Sequence, residues 1–205
     1  SAFCKVGIEK GFHIIGIDNF SNSSDQSINF LKEIAQSNFT FSRIDLCKDH
    51  ELLREIFLKN EIKYVVHFAG FKSVIESQMR PKMYWDNNLE STNNLTGMML
   101  EHSVKNIIFS SSASVYGNSN IQPVNENSEL KPASVYGATK EANEKFLEDL
   151  AIKGRLKTIS LRYFNPVGGI KMMPVNSPRQ DSKNLMDNII DVCVGKTKEL
   201  NIFGD

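Results

Sequence analysis

The sequence predicts an α/β fold, a Rossmann-type doubly wound parallel sheet, on three observations. Short apolar runs alternate with helix-patterned segments along the chain, a βαβα rhythm that implies a parallel sheet with helices on both faces. Runs such as "KYVVHFAG" and "NIIFSSSAS" are apolar through the strand body, as strands buried on both faces are. The carboxyl ends of the strand-like runs carry small, polar or acidic residues, and that is where such sheets take their ligands.

The elements follow in order. "SAFCKVGIEKGFH" begins without Met, lacks the long apolar stretch of a signal peptide, and reads as the interior of a helix ending at Gly11. "HIIGID" is a short apolar run ending in an acid. "QSINFLKEIAQS" has helical spacing with Ile28, Leu31 and Ile34 on one side. "FTFSRID" alternates as a strand, "ELLREIFLKN" reads as a helix, and "KYVVHFAG" is a strand ending in small residues. Pro81 opens a helix reaching about Val104, since proline suits the first helical turn; Leu95, Met98, Met99 and Leu100 are its core positions. "NIIFSSSAS" is a buried strand. Ser134 is the expected N-cap of a helix running to about Lys153, with Ala142, Phe146, Leu147 and Leu150 on its apolar side. "TISLRYF" is a further strand. "GGIKMMPVNSPRQDSKN" is the longest irregular segment and a candidate substrate loop. "LNIFGD" stops at a turn signal straight after a strand-like run, so both ends read as cut.

Composition excludes several classes. In 205 residues, 24 basic side chains balance 24 acidic ones with no basic stripe, so nucleic acid is not an expected partner. Cys4, Cys47 and Cys193 form no Cys-x-x-Cys and the four histidines show no ligand spacing, so no disulfide framework and no metal site is indicated. That pattern fits a reducing, cytoplasmic setting. No apolar run approaches a membrane span. Cys47 reads as a small buried hydrophobe and His67 as a satisfied core histidine. Glu126 and Glu129 read as a solvated loop.

The strand ends place Asp18 and Asn19, Asp45, Phe68-Ala69-Gly70, Ser110 to Ser114, and Phe164-Asn165-Pro166 at the ligand side of the sheet. Asp18 has two readings at this point. It terminates a strand, or it accepts bonds from the adenosine ribose of a dinucleotide, where its charge repels a 2′-phosphate and favours NAD over NADP. Further on, "SVYGATK" sets Tyr136 four residues before Lys140, on one helical face. In a lysine-rich chain with five tyrosines that spacing alone is no signal.

The motifs "IDNFSNS", "VVHFAGFKSVIES", "YWDNNLEST", "VKNIIFSSSASVYGN", "SVYGATK", "LRYFNPVGG", "KNLMDNI" and "NIFGD" occur in order. Together they resemble the UDP-glucose 4-epimerase family of extended short-chain dehydrogenases/reductases, over essentially the whole chain and most weakly at residues 21–40 and 169–182. The resemblance implies NAD-dependent epimerisation at C4 of a UDP-hexose through a 4-keto intermediate. It implies Tyr136 as base, Lys140 as its partner on the nicotinamide ribose, and Ser112 on the reacting hydroxyl. Asp18, Asn19, Asn22 and Ser23 match adenosine-side contacts, and Asp45 and Leu46 adenine contacts. Phe68, Ala69, Gly70, Lys72 and Asn87 match residues along the cofactor pyrophosphate and ribose, and Phe164 a place near the nicotinamide. Lys72 also reads as a plain surface lysine. Asn165, Asn184, Leu185, Asn201 and Phe203 match the UDP-sugar side. The loop from Ser112 to Tyr136 is one residue shorter than in familiar members.

The resemblance also places residues 1–162 as an NAD-binding Rossmann-like domain that lacks its first strand and glycine loop. Residues 163–205 are then the beginning of a smaller UDP-sugar-binding portion. In a sheet of order 3-2-1-4-5-6 the missing strand lies between "HIIGID" and "YVVHF", so the fragment alone is expected to be inactive and to bind NAD poorly. The full-length protein is expected to be a cytoplasmic homodimer. A base near neutrality requires a lowered tyrosine pKa. An ammonium about 5 Å from the phenolate is worth roughly 3 kcal/mol at an effective dielectric of 20, or about 2.4 pKa units. Three rival functions share the fold. A 4,6-dehydratase of this family carries an Asp-Glu pair after the strand serine, where this chain has Ala113 and Ser114. Epimerases of UDP-N-acetyl sugars or UDP-glucuronate differ in pocket residues beyond Asp205. A non-catalytic NAD-binding regulator has no use for Ser112, Tyr136 and Lys140 together.

Overall fold

The structure is a computed structural model that describes residues 2–35, 37–119, 122–166 and 185–201. Asn184, Phe203 and the segment 168–184 lie outside the described residues. Two compact units divide the chain: Ser1–Ser42 with Asn165–Asp205, and Arg43–Phe164.

In the first unit, helix α1 (Ala2–Glu9) stops before Gly11, whose φ of +82° is the left-handed conformation that closes helices. Strand β1 (Ile14–Asp18), helix α2 (Gln26–Ala35) and strand β2 (Phe39–Arg43) follow, and the two strands form one sheet. Ile8, Leu31, Ala35 and Phe39 make the core, with Ile14, Ile28 and Phe41 packed against it. The expected α2 face is corrected here. Ser27, Leu31 and Ala35, one turn apart, are the buried line, while Ile34 is exposed. The small Ser27 and Ala35 let α2 approach closely, and that rotates Ile34 outward.

The second unit runs α3 (His50–Lys59), β3 (Tyr64–His67), α4 (Val74–Met79), α5 (Pro81–Glu101), β4 (Asn106–Ser112), a 3₁₀ turn (Ala113–Tyr116), α6 (Val135–Ile152) and β5 (Lys157–Tyr163). Strands β3, β4 and β5 are neighbours in that order and parallel. Tyr64 to His67 pair with Asn106 to Phe109, and Asn106 to Ser112 with Lys157 to Tyr163, so His67, Ser112 and Tyr163 finish at one end of the sheet. In the first unit again, α7 spans Leu185–Cys193.

Helix α4 carries no signal in the hydrophobic pattern. Its six residues are started by the Ser73 hydroxyl, which accepts from the Glu76 N–H. Helix α6 starts as expected, with the Ser134 hydroxyl accepting from the Gly137 N–H at 3.0 Å. Its buried face is a second correction. Tyr136, Gly137, Thr139, Lys140, Asn143, Glu144 and Leu147 are buried, whereas Ala142, Phe146 and Leu150 are only half-buried. Polar groups can be buried when each is hydrogen-bonded. Here Thr139 donates to the Tyr136 carbonyl (2.8 Å), Asn143 to the Asn88 carbonyl (2.9 Å), and Glu144 receives Arg162. In α5, Leu95, Met98 and Met99 are core as expected; Leu100 is half-buried.

Two glycines mark the tolerances of this unit. Gly117, at φ +60°, follows the 3₁₀ turn, and a Cβ there would lie 1.9 Å from the Lys131 carbonyl oxygen. Gly97 sits inside α5 with open space around it. Gly117→Ala should therefore destabilise by about 2 kcal/mol or more. Gly97→Ala should stabilise by about 0.5–1 kcal/mol, because only helix propensity changes. Chemical denaturation of the two variants checks the pair, and equal effects would refute the packing at Gly117.

Candidate active site

Ser112 is the last residue of β4, and its chain turns at once into the 3₁₀ helix. Its hydroxyl oxygen accepts from the Ser114 N–H (3.2 Å) and from the Ser114 hydroxyl (2.9 Å). With its lone pairs engaged, the Ser112 proton is left to donate, and it bonds the Tyr136 phenol. Tyr136 and Lys140 project from one face of α6, and the Lys140 ammonium lies 5.8 Å from the Tyr136 ring centroid. The ammonium donates to the Ser110 carbonyl at 2.7 Å and sits 4.7 Å from the Phe109 ring centroid.

The electrostatics correct one expectation. Burial pushes the Tyr136 pKa up, and the Ser112 hydrogen bond is the opposing influence. The Lys140 ammonium is turned onto the Ser110 carbonyl, and burial outweighs the influences that favour the phenolate. Burial lowers Lys140 to about 8, against the smaller raising effect of the Glu144 carboxylate.

Second contacts fix the helix. The Tyr136 N–H donates to the buried Ser77 hydroxyl (3.1 Å), which itself donates to the Val74 carbonyl. Asn88 accepts from the Phe71 N–H (2.8 Å) and donates to the Phe71 carbonyl and the Thr139 hydroxyl (3.1 Å each). Gly70, at φ +139°, brings the loop so close that a Cβ would lie 3.1 Å from the Asn88 Oδ1. The Arg162 guanidinium makes 2.7 and 3.1 Å bonds to the Glu144 carboxylate, and donates to the Tyr116 hydroxyl (2.9 Å) and the Glu126 carbonyl (3.1 Å).

Sequence reading missed Ser77, Asn88, Thr139, Glu144 and Arg162. A charge inside the apolar run "TISLRYF" and a carboxylate one turn after Lys140 were the available signals for two of them.

The remaining candidates sit as follows. Asp45 accepts from the Cys47 N–H (2.9 Å), and the Leu46 carbonyl accepts from Asn94 (2.9 Å). Cys47 is half-buried rather than buried, its Sγ 3.5 Å from the Asn87 carbonyl and its pKa pushed up to about 11, chiefly by burial. Phe68, Ala69 and Lys72 are exposed at the end of β3. Phe164 is exposed and lines a cavity of about 380 Å³ with Tyr116, Glu126 and Arg162. In the first unit, Asp18 Oδ1 accepts from the Phe20 N–H (2.8 Å) and the Ser23 hydroxyl (3.0 Å), and Asn19 from the Ser21 N–H (2.9 Å). Asn22, Asn165, Leu185 and Asn201 are exposed. Among the described residues no helix is long and apolar enough to cross a membrane.

His67 is the satisfied core histidine expected, its Nε2 3.0 Å from the Thr92 hydroxyl. Burial, aided by the Lys140 charge, lowers its pKa from 6.5 to about 3. The unfolded chain therefore binds this proton well above the pH at which the folded chain does. Stability falls as pH falls through that window, by about 1.4 kcal/mol per unit. Between about pH 7 and about pH 5 the protein should lose about 2 kcal/mol more than a His67→Gln variant does. Denaturant midpoints at both pH values measure this, and equal losses would count against a neutral buried His67.

The profile of the NAD dependent epimerase/dehydratase family matches residues 1–205. UDP-glucose 4-epimerase of Bacillus subtilis (strain 168) is 39% identical over 204 residues, 98% of this chain and 60% of that protein. UDP-glucose 4-epimerase from Bifidobacterium longum, solved with NAD+ and UDP, superposes with a TM-score of 0.87 at 36% identity over 98% of this chain and 62% of that one. The enzyme from Stenotrophomonas maltophila, solved with NAD and formylated UDP-arabinopyranose, gives a TM-score of 0.90 at 34% identity, covering 98% and 60%. The chain thus spans about 60% of the length of the Bacillus subtilis relative.

Proposed function

The chain belongs to the NAD dependent epimerase/dehydratase family, and from that premise we propose that the full-length protein is a UDP-hexose 4-epimerase interconverting UDP-glucose and UDP-galactose. The observation that carries the reading is the Lys140 ammonium, 5.8 Å from the Tyr136 ring centroid and 2.7 Å from the Ser110 carbonyl, at the end of the strand that Ser112 finishes. A buried phenol with one hydroxyl donor and one cation is suited to taking a proton from an alcohol and giving it back.

The residues present fit a dinucleotide. Asp18 ends β1 with its carboxylate already ordering the turn to Ser23, the chemistry that ribose hydroxyls require. Gly70 folds its backbone against Asn88 at the end of β3, leaving Phe68 and Ala69 exposed. Asp18, Asn19, Asn22 and Ser23 would hold the adenosine, with Asp45 and Leu46 at the adenine. Phe68, Ala69, Gly70, Lys72 and Asn87 would hold the diphosphate and riboses, and Lys140 and Phe164 the nicotinamide end. Asn165, Leu185 and Asn201 would serve the UDP-sugar. When bound, NAD supplies the acceptor and then the donor of the C4 hydride.

The chain's own residues manage the proton. Tyr136, as phenolate, takes the C4 hydroxyl proton while the Ser112 proton turns from the phenol to the same sugar oxygen and Lys140 offsets the charge. After the 4-keto sugar turns over, Tyr136 returns the proton as the C4–H bond re-forms on the opposite face. Activity is proposed for the full-length, homodimeric, cytoplasmic protein and not for residues 1–205 alone. The region 1–162 would bind NAD and the region from 163 the sugar nucleotide.

Conversion of UDP-galactose by the full-length protein, read as UDP-glucose formed, tests the reading. Tyr136→Phe should lower turnover about 100-fold or more while NAD stays bound, because only the base is lost. Near wild-type turnover in that variant would sink the assignment of Tyr136.

Asp18 also makes a separate prediction. NAD should bind at least about tenfold more tightly than NADP, through retained ribose bonds and charge repulsion. Fluorescence titration with each cofactor measures it, and equal affinity would remove Asp18 from the ribose.

A further inference from the structure

Glu144 and Arg162 form a charged pair that the proposed reaction leaves unused. Glu144 lies one turn beyond Lys140 and two beyond Tyr136 on α6, and its side chain is 7% exposed. Arg162 lies inside β5. One guanidinium meets the carboxylate with Nε and Nη2, and with Nη1 it reaches the Tyr116 hydroxyl and the Glu126 carbonyl. Its plane also stands over the Tyr116 ring, 5.1 Å from the centroid. Tyr116 closes the 3₁₀ turn that leaves Ser112, so both segments bearing the reacting side chains meet at this one group.

We infer that Arg162 is a positioning residue for the proposed reaction: its guanidinium ties α6, which carries Tyr136 and Lys140, to the turn that follows Ser112, and its charge cancels that of Glu144 beside Lys140. The rate arm of this inference rests on the epimerase reading; the charge arm does not. The groups facing Lys140 are few. Tyr136 and Glu144 come from α6 itself, and β3 contributes the neutral His67. Strand β4 contributes the Ser110 carbonyl and the Phe109 ring, and β5 contributes Arg162 behind Glu144. Helices α4 and α5 present the uncharged Ser77 and Asn88 to α6. Glu144 is thus the single anion in this group. Left without Arg162, it would favour the ammonium of Lys140 and oppose the phenolate of Tyr136. Without Glu144, Arg162 would do the reverse.

The test is an ultraviolet titration of Tyr136 in the full-length protein, each variant read against the same variant carrying Tyr136→Phe, with turnover of UDP-galactose alongside. Glu144→Gln should lower the Tyr136 midpoint and Arg162→Met should raise it, each by about 0.5–1 pH unit. The double variant should return to the wild-type midpoint. Arg162→Lys keeps the charge but has no planar fork to span Glu144 and Tyr116. It should titrate like wild type while kcat falls about 10- to 100-fold. Midpoints that coincide or move in the same direction for Glu144→Gln and Arg162→Met overturn the charge role. Wild-type kcat in Arg162→Lys overturns the positioning role. If Arg162→Met does not fold, a Glu144→Gln midpoint at or above that of wild type overturns the charge role, and Arg162→Lys decides the positioning role as before. A wild-type protein that leaves UDP-galactose unconverted defeats the epimerase reading, and the titration still decides the charge role.

Discussion

The site depends first on the side chain of Asn88. It is buried, so both ends of its amide need partners inside the protein, and an amide left bare costs about 1–3 kcal/mol. Its oxygen takes the Phe71 N–H, its nitrogen serves Phe71 and Thr139, and its main-chain carbonyl accepts from Asn143. One residue of α5 thereby sets the loop after β3 and the pitch of α6 together. Thr139 and Asn143 tie α6 to α5 through Asn88, and Lys140 reaches the Ser110 carbonyl on β4. A network of this kind is stable when every member is satisfied and fails as a unit when one is removed.

Much of the architecture was legible because strand and helix periods differ. The apolar run "NIIFSSSAS" reads as a buried strand, and β4 is one, with Ile107 and Phe109 buried. Helix α6 was legible at its start, where Ser134 has one obvious use. Its buried face was not. Reading hydrophobicity selects Phe146 and Leu150, but the helix turns Thr139, Lys140, Asn143 and Glu144 inward. Their partners lie 18 to 55 residues away in sequence, beyond the reach of any local pattern. Helix α4 was invisible for another reason: six residues are too few to show a period.

The candidate site was legible only as a set. Tyr136 and Lys140 gained meaning from the ordered motifs around them, and the parallel register places Ser112 at the matching strand end. The direction of the tyrosine shift was not legible. Coulomb attraction between an ammonium and a phenolate is easily estimated from spacing, but burial has no signature in a four-residue motif. The outcome turns on how much solvent the surrounding helices exclude, against the opposing hydrogen bond from Ser112. Arg162 shows the opposite case. A cation in the middle of an apolar run is conspicuous in sequence, yet its destination depends on where β5 lies beside β4.

The ion pairs of this chain fall into two kinds with different answers to dissolved electrolyte. Lys59–Glu55, Lys82–Asp86 and Lys153–Asp149 lie on exposed helix faces, and mobile ions at physiological strength screen such pairs over about 8 Å. Their small contributions, a few tenths of a kcal/mol each, fade as ionic strength rises. Arg162–Glu144 is largely shut away from those ions. A change of salt therefore loosens the rims of the helices and leaves the field around Lys140 nearly as it was. The chemistry of the site is insulated from an environment that the outer surface continues to feel.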